Sequence, residues 1–284
     1  MKDDTKLIHA GRNEVALEAT VNVPVHRAST IVSPTVNDYL HRFDNNRRFE
    51  KVTYGATGTQ NARKLAEAVA TLEGGGDCVI TSSGLSACTL AIGALVKQGD
   101  HILITDSVYG PTRRYVSEVL ARYGIESEFF DPAIGGGIKA LCRPETSLVY
   151  TEAPGSLTFE MQDIPTIAAA AHEAGALVAM DNTWATPLFF KPLDHGVDIS
   201  IQAGTKYIAG HSDLVIGMIS TRDNDLHLRI ADYAMTLGDV SGPDDCYMAL
   251  RGMRTMGVRV RQQYENALAV ATWLQQQPRV RQVL

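Results

Sequence analysis

From about Thr59 to Thr221, short and almost wholly apolar runs alternate with longer stretches in which apolar residues recur every three or four positions. Asp77-Cys78-Val79-Ile80-Thr81, His101 to Thr105, Gly175 to Thr183 and Val197 to Gln202 are runs of the first kind. They lack the strict apolar–polar alternation of a strand with one wet face, so they predict strands buried on both sides. Asn61 to Leu72, Leu85 to Val96 and Ile164 to Glu173 carry the helical period instead. The alternation predicts an α/β fold: a mainly parallel sheet covered by helices on both faces. Gly74-Gly75-Gly76 predicts a glycine cap on the first of these helices, and Gly135-Gly136-Gly137 predicts a loop.

The flanks differ. Residues 1 to about 58 are rich in polar and turn-forming residues, with Arg42, Arg47 and Arg48 among Asp44, Asn45 and Asn46. Such a stretch cannot make its own core, and it reads either as an arm lying on another subunit or as a disordered tail. From about Asp244 onward the chain is helical to about Gln277, with Leu250, Met253 and Met256 spaced for one buried face. Three parts are therefore expected: an arm over 1–58, a sheet-containing domain over 59–243 and a helical segment over 244–284.

Composition narrows the function classes. Of 284 residues, 45% are hydrophobic and 20% charged, a globular balance. A net charge of −6 with no basic stripe argues against nucleic acid. The start, Met1-Lys2-Asp3-Asp4-Thr5, has no apolar signal core, and no run reaches membrane-spanning length, so a cytoplasmic protein without a membrane partner is expected. The four cysteines, Cys78, Cys88, Cys142 and Cys246, lie far apart without a CxxC and read as reduced, mostly buried small hydrophobes.

The candidate chemistry centres on Lys206, which an apolar strand delivers into a turn of small and hydroxylated residues, Ala203-Gly204-Thr205-Lys206-Tyr207, followed by Gly210-His211-Ser212-Asp213. A partly desolvated amine there has its charged form disfavoured and serves as a nucleophile. The plain alternative is a surface lysine after a buried strand. Asp181 ends the run Gly175 to Thr183, at the carboxyl end of a parallel strand where ligands of open α/β sheets sit; its alternative is a turn or cap residue. An Asp and a Lys from adjacent strand ends suit pyridoxal 5′-phosphate, with the lysine on the aldehyde and the carboxylate on the pyridine nitrogen. Ser82-Ser83-Gly84, between a strand and the helix from Leu85, predicts an anion site of free N–H groups at a helix start. It lacks GxxxxGK[ST] and GxGxxG, which argues against a nucleoside triphosphate and a dinucleotide. Tyr109, after the strand His101 to Thr105, offers an aromatic face for stacking, or simply packs beside a turn. His211, Asp213, Asp181 and His195 match no zinc spacing, so no metal is expected. No Gly-x-Ser-x-Gly elbow surrounds Ser83, which argues against nucleophilic hydrolysis.

Over essentially its whole length the chain resembles the Cys/Met-metabolism group of fold-type I pyridoxal phosphate enzymes. The motifs are Tyr54-Gly55 with Gly58-Thr59, Leu72-Glu73-Gly74-Gly75, Ser82-Ser83-Gly84, Tyr109-Gly110, and Thr205-Lys206-Tyr207 with Gly210-His211-Ser212-Asp213. Glu152-Ala153-Pro154-Gly155-Ser156-Leu157-Thr158, Asp181-Asn182-Thr183-Trp184-Ala185 and Gln202 resemble the cystathionine β-lyase branch. The resemblance implies an aspartate-aminotransferase-like large domain and β-elimination of L-cystathionine to homocysteine, pyruvate and ammonia, a step of methionine biosynthesis. The alternatives are a γ-lyase or γ-synthase of the same group, or a non-catalytic cofactor-binding module. It further implies that Lys206 holds the cofactor and removes the substrate Cα proton, that Asp181 and Thr183 serve the ring, and that Tyr109 stacks on it. Ser83, the Gly84 and Leu85 amides and Thr205 would hold the phosphate. Tyr54 would reach the phosphate of a neighbouring subunit, giving a dimer with shared sites within a tetramer. Trp184 would shape the substrate pocket or pack in the core.

Three departures from the group stand out. Ala56 replaces an arginine common two residues after the phosphate-binding tyrosine, leaving Arg47 or Arg48 to compensate. Ala203 replaces a common serine. The group's chains also continue for roughly another hundred residues, enough for a small domain carrying the arginine that clamps the substrate carboxylate. An aminotransferase-like large domain with the C-terminal small domain largely absent is therefore expected, with impaired turnover.

Overall fold

The computed structural model describes residues 2–12, 20–42 and 51–283. Seven strands form one sheet: β1 (Asp77–Thr81), β2 (His101–Thr105), β3 (Glu126–Phe130), β4 (Thr146–Glu152), β5 (Leu177–Asp181), β6 (Ile199–Gln202) and β7 (Gly217–Thr221), in the order β1-β7-β6-β5-β4-β2-β3. Pairs from β3 through β6 are parallel; β7 runs antiparallel to both β1 and β6. The helices among the described residues are α1 (Asp3–His9), α2 (Val36–Leu40), α3 (Gln60–Glu73), α4 (Gly84–Leu95), α5 (Gly110–Arg114), α6 (Ile164–Glu173), α7 (Thr186–Phe189), α8 (Asn224–Thr236), α9 (Pro243–Met253) and α10 (Met256–Gln275). The α/β architecture expected from the alternating pattern is present.

Side-chain alternation assigns the two faces. Ile102, Ile104, Leu148, Tyr150, Ala179, Ile199 and Ile201 point to one side, where Ala87, Leu90 and Ala91 of α4 and Ile230 and Ala234 of α8 cover them. Leu103, Val149, Val178 and Met180 point to the other, under Ile164, Ile167 and Ala171 of α6. Cys78 and Met218 also face that way, packed with Leu65, Val69 and Leu72 of α3 and Leu250, Met253 and Met256 near the chain's end. Every residue of β2 is buried, including His101 and Thr105, which explains the unbroken apolar runs.

Local signals account for several boundaries. Gly74 caps α3 in the left-handed region, φ 98°, as its sequence implies. Asp163 and Asp223 accept N–H groups at the starts of α6 and α8, contacts worth about 1 kcal/mol each. Gly135 does not open a loop: the stretch Pro132–Ala140 winds as 3-10 turns, broken at Gly135 by φ 51°. The C-terminal helical stretch is two helices, separated at Arg254 and Thr255. Tyr54 pairs in an isolated bridge with Thr30. Arg47 and Arg48 lie outside the described residues.

Glu73, at the end of α3, is fully buried beneath β6. Its Oε1 accepts from the Ser200 hydroxyl (2.8 Å) and from Gln202 Nε2 (3.3 Å), while its Oε2 has no partner. Burial raises the carboxyl to about 7, the donors and the nearby Lys191 and Arg222 charges pulling the other way. An unfolded glutamate titrates near 4.5, so between these values the native chain holds a proton that the unfolded chain has released. Stability therefore falls as pH rises through about 7. Glu73→Gln, which keeps an acceptor without titrating, should flatten the fall in melting temperature between about pH 5 and pH 8. An unchanged slope in thermal scans would show that Glu73 does not carry it.

Candidate active site

The carboxyl ends of β1, β4, β5 and β6 open onto one cleft of about 1190 Å³, lined by Ser83, Gly84, Leu85, Tyr109, Glu152, Asp181, Thr183, Trp184, Thr205 and Lys206 among others. It exceeds the ~300–1,000 Å³ of an ordinary single-ligand pocket.

Asp181 ends β5 with only 8% of its surface exposed. Its Oδ1 accepts the Thr183 N–H (3.0 Å), and its Oδ2 lies 3.6 Å from the Cys88 thiol of α4. Burial pushes its carboxyl up; the hydrogen bonds from Thr183 and Cys88 oppose that. Thr183 does a second task, because its hydroxyl accepts the Ala203 N–H (2.7 Å) and so joins the end of β5 to the turn that carries Lys206.

Lys206 sits in that turn, its N–H bonded to the Ala203 carbonyl (3.0 Å) and its carbonyl accepting from Gly210 (2.8 Å). Its side chain is exposed on the cleft. The partial desolvation expected from the small neighbouring residues is absent: those residues clear space around the amine rather than cover it. His211 Nδ1 pairs with the Ala209 carbonyl (2.7 Å), stiffening the polar turn beyond the lysine.

Between these groups lies the start of α4. The Ser83 hydroxyl accepts the Ser86 N–H (3.0 Å) and caps the helix. Gly84 and Leu85 are the first helical residues, and their N–H groups have no acceptor within the helix, where the dipole is positive. A Cβ on Gly84 would come within 2.4 Å of the Ala203 methyl, so glycine is what lets the helix start approach the lysine turn. The Thr205 hydroxyl is not turned to this space. It donates to the Ile216 carbonyl (3.2 Å) and accepts the Ile216 N–H (3.0 Å), fastening its turn to the residue before β7.

Tyr109 stands at the cleft's edge, 42% exposed, at the start of α5. Trp184 is 54% exposed, which rules out core packing, and meets Phe159 edge to face with ring centroids 6.5 Å apart. The site residues expected from sequence thus meet in one cleft, except Tyr54, which does not line it. Among the cleft residues without a site role in the sequence reading are Cys88, behind Asp181, and Glu152, at the end of β4. Glu152 had the same signal as Asp181, a carboxylate closing an apolar run, but the run Thr146 to Glu152 was not separated as a strand.

The arrangement fits pyridoxal phosphate. A buried carboxylate for a pyridine nitrogen, an accessible primary amine for an aldehyde and a helix start free of side chains for a phosphate share one space. Among the described residues no group of His, Cys, Asp and Glu is arranged to hold a metal ion.

Fold and cleft together define an α/β enzyme with an amine, a buried carboxylate and an anion-binding helix start on one sheet edge. The chain belongs to the Cys/Met metabolism PLP-dependent enzyme family, whose model matches residues 4–284. It is 47% identical to a putative cystathionine beta-lyase of Rhizobium johnstonii over 99% of this chain and 69% of the relative. It is 39% identical to the cystathionine beta-lyase MetC of Escherichia coli, over 99% of this chain and 71% of that protein. The crystal structure of metB from Corynebacterium glutamicum superposes with a TM-score of 0.90 at 28% identity, covering 98% of this chain and 70% of that one.

Gly84→Ala should weaken pyridoxal phosphate uptake by about tenfold or more, since the new methyl must push the helix start from the Ala203 turn. Titrating the cofactor into parent and variant and following its visible absorbance measures this. Equal affinities would exclude the helix start as the phosphate cradle.

Proposed function

We propose that this cleft holds pyridoxal 5′-phosphate on Lys206 and catalyses β-elimination of L-cystathionine, giving homocysteine, pyruvate and ammonia. The observation that carries the reading is the pairing of a buried Asp181 with an exposed Lys206 across a helix start with unpaired N–H groups. The names of the relatives support cystathionine as substrate.

When bound, the cofactor supplies an electron sink for the charge left on the substrate Cα. The chain's residues do the rest. The Gly84 and Leu85 N–H groups and the α4 dipole would hold the phosphate. Asp181, aimed by Thr183 and Cys88, would hold the proton of the ring nitrogen. Lys206, whose side chain lines the same cleft, would bind the aldehyde and serve as the base for the substrate Cα proton. Tyr109, at the edge of the cleft, would cover the ring and could supply a proton to the departing thiolate. Trp184 and Phe159 form an apolar wall that keeps water from the distal half of the substrate. Tyr54, which is exposed and outside this cleft, would contact the phosphate bound in the other subunit of a dimer.

Lys206→Ala should abolish both the visible absorbance of the bound cofactor and turnover. Asp181→Ala should keep cofactor binding within about tenfold while kcat falls about a hundredfold or more, because it removes an interaction needed chiefly in the transition state. Retention of the absorbance band by Lys206→Ala would refute the lysine assignment. Product analysis separates the γ-elimination reading, which yields 2-oxobutyrate in place of pyruvate.

A further inference from the structure

The sheet reverses its strand order between β2 and β4, the place where ligands of open α/β sheets bind. Tyr109 follows β2 and Glu152 ends β4, and the two close this gap: Glu152 Oε2 accepts the Tyr109 N–H at 2.7 Å. Gln162 Nε2 donates to the Glu152 carbonyl, so the main chain at this strand end is held as well. In register Glu152 pairs with Asp181 on β5. Register partners of neighbouring parallel strands lie about 4.8 Å apart with side chains on one face. Two carboxyls thus flank each other at the floor of the cleft, and only one of them has a part in the chemistry described above.

We propose that Glu152 is a positioning residue: it fastens the Tyr109 main chain to the end of β4 and holds the one proton of the Glu152–Asp181 pair, leaving the negative charge on Asp181. The inference rests on the reading of the cleft as a pyridoxal phosphate site.

Two like charges on adjacent register positions, one buried at Asp181 and one half-buried at Glu152, cannot both persist cheaply, so one carboxyl keeps its proton. The surroundings choose which. Asp181 receives a main-chain N–H and a thiol and would face the cationic ring nitrogen of a bound cofactor. Glu152 receives the single Tyr109 N–H, and burial together with the Asp181 charge raises it to about 8. The other ionisable groups around it are Tyr150 on its own strand and Cys88 on α4, both pushed up by burial and neutral, and Lys206 across the cleft. Because Glu152 is raised relative to an unfolded glutamate, its protonated form stabilises the fold and that contribution is lost as pH rises through about 8.

The test compares the full parent chain with Glu152→Gln and Glu152→Ala. In the cofactor-free chains, both variants should flatten the fall in melting temperature between about pH 6 and pH 9. In the loaded chains, Glu152→Ala should lower kcat about tenfold with KM within about threefold, and should reduce the dichroism of the bound cofactor, since the ring contact with Tyr109 loosens. Glu152→Gln keeps the acceptor and should recover most of that loss. A parent-like melting slope in both variants, parent-like kcat and dichroism in Glu152→Ala, or a glutamine variant as impaired as the alanine one would each overturn the proposal. A parent chain that takes up no pyridoxal phosphate overturns the reading of the cleft and this inference with it. A loaded, active parent whose variants match it overturns the inference alone.

Discussion

A carboxylate withheld from water at the end of β5 is the constraint around which the cleft is arranged. Burying an unpaired charge costs several kcal/mol, and the Thr183 N–H and Cys88 thiol offset only part of that for Asp181. The remainder favours a cation in the cleft, which is what a protonated ring nitrogen provides. The same contact fixes the geometry. Thr183 bonds to Asp181 through its N–H and to Ala203 through its hydroxyl, and Ala203 in turn abuts Gly84. Carboxylate, amine-bearing turn and helix start are therefore one mechanical unit, and none can shift without disturbing the other two.

Behind that unit the sheet carries a polar inclusion. Along β6, Ile199 and Ile201 face α4 while Ser200 and Gln202 face the opposite side. There both meet Glu73, whose lone unpartnered oxygen is the weak point of an otherwise paired cluster. A fully apolar strand would pack at least as well on energy alone. The polar pair ties β6 to the end of α3, and so steadies from behind the strand that delivers Lys206.

The sheet was legible in sequence where burial on both faces leaves an unbroken apolar run, as in β1, β2, β5 and β6. It was not legible at β3, Glu-Ser-Glu-Phe-Phe, an edge strand whose charges read as loop. Neither β4 nor β7 was separated as a strand, and periodicity, which reports the buried face but not which way a strand runs, could not have given the direction of β7. Asp181, Lys206, Tyr109 and Ser83, which line one cleft, could be singled out because strand ends and helix starts are where α/β chemistry collects. The details that failed were three-dimensional. The exposure of Lys206 depends on the open cleft, and the Thr205 hydroxyl is claimed by Ile216 from a distant turn.

The antiparallel β7 is what completes the rim. In a parallel sheet only carboxyl ends meet at the ligand edge; a strand running the other way brings its amino end there instead. Gly217 lies opposite Thr81 at the end of β1, and Met218 opposite Gln202 at the end of β6. Ile216, one residue earlier, is thereby placed to hold both polar atoms of the Thr205 hydroxyl. A Cβ on Gly217 would come within 2.2 Å of the Ser83 carbonyl, so the strand also presses directly beneath the helix start. Had β7 been parallel, Thr221 would occupy this edge, and neither the turn of Lys206 nor the cap of α4 would have a floor. One reversed strand thus supports the amine and the anion site together.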